Sequence, residues 1–184
     1  FSAEVRKQVA ASSTVPPSNP AMPYYGVFMK AKLTNVESLS LPDDMEWVFD
    51  VEEEGGGQDT RENIAFSDLD CVDNTTNVNF EMTWMQGNRA TIKSISSQML
   101  PRQVRNRARL HRKYDWSPAN PPSDNFACIG IFDCRGLKLV RGQPLASITV
   151  TGADGMEHEA DLEEGAWEHK GMLVENMTFE VRRI

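Results

Sequence analysis

Cysteine is scarce in this chain, with three in 184 residues, at positions 71, 128 and 134. An odd number at irregular spacing argues against a secreted disulfide scaffold. Long apolar runs are lacking too. No stretch approaches the roughly 20 residues of a membrane helix, so no transmembrane span is expected. Positive charge is in deficit, and a net charge of −8 disfavours general affinity for nucleic acid. Catalytic patterns are lacking as well. There is no nucleophile elbow, phosphate-binding loop, Ser-His-Asp order or paired buried carboxylate. An enzyme is therefore not expected, and no cofactor is implied.

What is present is alternation. Period-two runs occupy 26–33, 47–51, 78–84, 90–95, 127–132, 146–150 and 177–181, divided by Gly, Pro, Asn and Asp turns. These predict a mainly β chain of antiparallel sheets, a sandwich or a split barrel. Hydrophobic residues make up 40% of the chain, enough for a core without disulfides. A faint repeat relates 30–51 to 129–150: strand, turn, then a second strand after a proline. It predicts two quasi-repeated halves, about 24–97 and 124–184, joined by a basic segment and Pro-rich loop at 98–123.

Ahead of the β region, residues 1–23 read as an extended arm, with three prolines and three serines between Ser12 and Pro20. Such an arm is ordered only against something to lie on, so Phe1 and Val5 are candidate partner contacts. Phe1-Ser2-Ala3 looks like the product of mitochondrial presequence cleavage, and a mitochondrial location is expected on that reading. An arbitrary chain start is the rival explanation.

The basic segment breaks the β pattern. Arg102, Arg105, Arg107, Arg109, Arg112 and Lys113 follow Pro101, with Val104, Ala108 and Leu110 forming a narrow apolar side of a short helix. Arginine forks suit carboxylates and phosphates. The functional reading is docking to acidic protein surface, with an anionic lipid head group or RNA as lesser options. The plain alternative is pairing with this chain's own acidic C-terminal half. Tyr114 and Trp116 follow as candidate interface anchors.

Other clusters have plain readings beside the chemical ones. Met82 and Met85 could form a soft copper site, but core packing is simpler. Glu52-Glu53-Glu54 lacks the spaced ligands of a calcium loop. His158 and His169, with Glu159 and Asp161, could hold a metal or simply be solvated. Cys128 and Cys134 share a face if their strand is unbroken. Only Arg135 beside Cys134 hints at an activated thiol.

Several segments together carry a resemblance. The stretch Asp124-Asn125-Phe126-Ala127-Cys128-Ile129-Gly130-Ile131-Phe132-Asp133-Cys134-Arg135-Gly136-Leu137 is followed by Gln143-Pro144, and then by the acidic Asp161-Leu162-Glu163-Glu164-Gly165-Ala166-Trp167. Earlier come Tyr25 to Leu33, Thr34-Asn35-Val36-Glu37-Ser38-Leu39 and the Trp47 strand. In order and spacing this resembles the CXXC-motif-containing zinc-binding proteins of eukaryotes. Aligned so, the family's first cysteine pair falls on Glu53 and Gly56, and the second on Met82 and Met85. All four positions depart from the pattern, so a zinc-free member is implied. A lost structural zinc is worth about 10 kcal/mol or more in peptides, which packing or partner surfaces must replace. The resemblance implies a non-catalytic structural accessory subunit of a large mitochondrial complex. The ATP synthase is the first expectation, and the mitochondrial ribosome is the alternative. A free-standing binding or thiol-redox protein is the competing class.

Overall fold

Alternation from Tyr24 onward becomes a series of strands in the computed structural model, which describes residues 23–55, 57, 59–72, 77–110, 126–161 and 165–184. The arm with Phe1 and Val5 lies outside the described residues. So do Gly56, Arg112, Lys113, Tyr114 and Trp116. In chain order the elements are β1 (Tyr24–Thr34), β2 (Val36–Ser40), β3 (Glu46–Glu53), β4 (Thr60–Ser67), β5 (Phe80–Thr83), β6 (Arg89–Ser94), α1 (Arg102–Arg105), β7 (Ala127–Arg135), β8 (Leu137–Pro144), β9 (Ser147–Gly152), β10 (Glu157–Asp161), β11 (Trp167–His169) and β12 (Met172–Arg183). The fold is mainly β, as expected, with curled antiparallel sheets and, among the described residues, one short helix.

Two corners organise the chain. At Asn35 (φ 56°) β1 turns into β2, and at Gly136 (φ 68°) β7 turns into β8. A left-handed backbone is what Gly and Asn tolerate best. Each corner moves the chain from the large sheet into a small one. The large sheet has the order β11-β12-β1-β7-β6-β5, and the small ones are β10-β9-β2 and β4-β3-β8.

That order contains the faint repeat. Exchanging β1 with β7, β2 with β8, β3 with β9, β4 with β10, and the β5–β6 hairpin with β11–β12 maps every sheet onto another or onto itself. The halves are not side by side. Each lends strands to the other, since β2 pairs with β9, β8 with β3, β12 with β1 and β6 with β7. All three sheets contain strands of both halves.

The inward faces enclose one core. Trp47, Phe49 and Phe132 are fully buried, and Phe132 meets the other two edge-on at 5.1 and 5.0 Å. Trp47 also donates its indole N–H to Asp68 at 2.9 Å, which fixes the ring. Gly130 leaves room for it, because a Cβ there would sit 2.6 Å from the Trp47 ring.

A second, smaller cluster covers the outer face of the large sheet. Tyr24, Phe28, Cys128 and Ile131 from β1 and β7 pack there against Leu100, Val104 and Ala108. The narrow apolar side of the basic segment is thus what fastens it down. The cysteines do not share a face, because the strand is not unbroken, the condition on which the sequence expectation rested. Val27 pairs with Gly130 but Phe28 pairs with Cys128, so β7 carries an extra residue there. That bulge flips the alternation. Cys134 joins the inner core and Cys128 the outer cluster.

Candidate functional site

The β3–β4 loop and the β5–β6 turn converge on the Gly136 corner. Glu53 ends β3 and is only 4% exposed. Its Oε1 accepts a hydrogen bond from the Asn88 amide at 2.9 Å, across 35 residues of sequence. Its backbone N–H donates to the Asp59 carbonyl at 3.0 Å, closing its own loop. Gly57 lies so close to the carboxylate that no Cβ fits between them. The second loop is fixed in turn. The Trp84 backbone N–H donates to the Asn88 carbonyl at 2.9 Å, and the Trp84 indole N–H to the Gly136 carbonyl at 2.9 Å. The Glu54 N–H reaches the same Gly136 carbonyl at 3.3 Å. Two hairpin loops and a corner are thereby latched together by hydrogen bonds.

Zinc does not fit what is there. Met82 is buried in the core opposite Ala90, while Met85 is 87% exposed at the turn. Both are thioethers, whereas zinc takes thiolate, imidazole or carboxylate. Glu53 offers a carboxylate, but Asn88 holds one of its oxygens. Among the described residues no group of three His, Cys, Asp or Glu side chains converges. The sequence reading did not identify Asn88. Its only local signal was a Gly-Asn turn closing a hairpin, which many hairpins share.

The opposite corner repeats the arrangement with other groups. Asn35 donates its side-chain amide to the Gly171 carbonyl at 2.8 Å, tying the corner to the β11–β12 turn. The Met172 sulfur lies against Gly152 at the start of the β9–β10 turn, where a Cβ would come within 2.7 Å of it. Nearby strands bring His158 and His169 together, with ring centroids 4.6 Å apart and Trp167 beside both. Glu159 and Asp161 do not join them in a metal-sized group among the described residues.

Two of the three thiols, Cys128 and Cys134, are shielded by placement. Burial, with Asp133 and Glu54 adding to it, pushes the Cys134 thiol well above its ordinary range. Cys128 is buried and only Cys71 is exposed.

The basic segment has a different character. Among the described residues of the segment only Arg102–Arg105 is helical, one turn opened by the Pro101 carbonyl, which accepts from Val104 and Arg105 at 2.9 and 3.0 Å. Arg102, Arg105, Arg107 and Arg109 are all exposed. Arg105 Nε donates to the Leu100 carbonyl at 2.9 Å. Among the described residues, Arg102, Arg105 and Arg107 make no ion pair. The expected alternative of pairing with the chain's own acidic half is not realised for these three.

Comparison with known proteins agrees with this architecture. No curated protein matches the chain in sequence. Two solved structures are similar in fold. A hypothetical protein from Plasmodium falciparum is 20% identical with a TM-score of 0.68, over 86% of this chain and 99% of that one. The protein C1orf123 is 19% identical with a TM-score of 0.68, over 88% of this chain and 99% of that one. Residues 26–180 match the family described as "CXXC motif containing zinc binding protein, eukaryotic", and the chain belongs to that family.

Proposed function

We propose that this chain is a non-catalytic accessory subunit of a large mitochondrial assembly and acts through protein–protein contacts. The ATP synthase is the first candidate, and the mitochondrial ribosome the second. The observation that carries the reading is the basic segment. Val104 and Ala108 bury its apolar side, which leaves Arg102, Arg105 and Arg107 displayed on a fixed backbone without ion-pair partners among the described residues. Arginines held in place by packing lose little further entropy on docking, so they suit recognition of an acidic partner surface. An anionic lipid head group is a lesser option for the same side chains. The Glu53–Asn88 latch supports a scaffold that holds its loops without metal. The competing thiol-redox reading is weakened by the buried, proton-retaining Cys134.

The test is native-size fractionation of gently solubilised mitochondria, following this chain by mass spectrometry. Co-migration with ATP synthase subunits is expected, and Arg102→Glu with Arg107→Glu should shift the chain out of that fraction. Co-migration with ribosomal proteins moves the address. A peak near the chain's own 20.7 kDa overturns the subunit reading.

A further inference from the structure

The outer face of the large sheet carries a cleft. Its volume is about 380 Å³, and it is lined by Val78, Arg89, Thr91, Lys93, Asp133 and Arg135. Strand register explains the grouping. Tyr24, Asp133 and Lys93 stand opposite one another across β1, β7 and β6, and Arg135 stands opposite Thr91. Side chains directly opposite in an antiparallel sheet share a face and lie within contact range. One row is therefore phenol, carboxylate and ammonium, and the next is guanidinium and hydroxyl.

Three cations in one cleft are unusual on a chain of net charge −8. Arg89 is bound to Glu81 at 2.6 Å, and Arg135 lies 3.6 Å from Asp133 Oδ2. Lys93 is half-buried and has no ion-pair partner among the described residues. Asp133 is 8% exposed, and its Oδ1 has no hydrogen-bond partner among the described residues. A buried oxygen without a donor costs about 1–3 kcal/mol. The same carboxylate lines the cleft, with its Oδ2 beside Arg135.

We propose that this cleft binds a small phosphate monoester that carries neighbouring hydroxyls. Lys93 and Arg135 would hold the phosphate, Arg89 would add positive potential, and Asp133 would accept a hydroxyl proton. The cations account for the anion, and the carboxylate accounts for the donor beside it. A cleft of this volume is within the range of small-molecule sites. The proposal stands on residues separate from the docking arginines, and either reading can fail without the other.

Isothermal titration of the full chain tests it, with ribose 5-phosphate and inorganic phosphate as probes. Ribose 5-phosphate should bind saturably and more tightly than inorganic phosphate. Lys93→Gln and Arg135→Gln should each weaken it by about tenfold or more. Asp133→Asn should narrow the preference for ribose 5-phosphate while leaving inorganic phosphate as tight or tighter, because a repelling charge is gone. That split separates a contact role from a folding defect, and circular dichroism confirms that each variant is folded. No saturable binding of ribose 5-phosphate overturns the proposal. So do equal affinities for the two probes, or binding indifferent to both Lys93→Gln and Arg135→Gln.

Discussion

At the residue scale, one hydrogen bond stands where the family's name leads one to look for metal. Among the described residues, Asn88 is the only side-chain hydrogen-bond partner of Glu53, a carboxylate that is almost wholly buried. Asn88→Ala leaves that oxygen without a donor, so it should cost about 2 kcal/mol of stability in urea denaturation. Loss of less than a few tenths would mean that the latch holds nothing. Zinc and EDTA should both leave the melting temperature unchanged, and a zinc-dependent rise would contradict the reading of the loops. Cys134 gives a pH signature. Its folded thiol keeps a proton that an unfolded thiol releases above about pH 8.5. The associated stability is complete below that value and is lost as pH climbs toward the folded thiol's own. Cys134→Ala should lower stability throughout but flatten the decline in denaturation midpoints above about pH 8.5. Iodoacetamide should label Cys71 in the native protein and spare Cys128 and Cys134, as judged by mass spectrometry.

At the scale of elements, the corners do most to set the architecture. Gly136 is left-handed, and a Cβ there would meet the Arg89 carbonyl at 2.5 Å. Gly136→Ala should therefore cost about 3 kcal/mol or more. Asn35→Gly keeps the backbone permitted and loses only the bond to Gly171, so it should cost about 1 kcal/mol. Thermal melts that rank the two the other way round would refute this account of the corners. Alternation made many strands legible in the sequence, among them β1, β3, β6 and β7. It did not identify β4, whose first four residues, Thr60-Arg61-Glu62-Asn63, are all exposed and polar. Nor did it show the bulge in β7, because an inserted residue disturbs the register without changing composition. The apolar side of the basic segment was legible, since Val104 and Ala108 follow helical spacing. Among the described residues the helix is one turn, because packing on the sheet rather than propensity holds the segment.

At the scale of the molecule, the strands from the two ends of the chain are interlocked in shared sheets. The repeat was readable because both copies keep strand, corner and strand. The exchange was not, because pairing between β2 and β9 or β3 and β8 leaves no local mark in the sequence. Neither half can complete a sheet alone. Residues 24–97 expressed without the rest should therefore fail to give the dispersed amide spectrum of a folded protein. Calorimetry of the full chain should show one transition with matching van't Hoff and calorimetric enthalpies. Two resolved transitions would mean that the halves are energetically separate. Folding should also be slow for a chain of this size, since most pairings span distant sequence.

The exchanged strands also bear on ancestry. Two like halves that finish each other's sheets have the arrangement that fusing a strand-swapped homodimer into one polypeptide would produce. Before such a fusion, any substitution at one corner would have struck both. Afterwards each corner mutates independently. One end of this molecule now joins its loops through a glutamate and an asparagine, and the other through an asparagine amide and a thioether packed on glycine. Duplication followed by fusion would thus leave the two poles free to diverge in how they join their loops while the shared sheets stay in register.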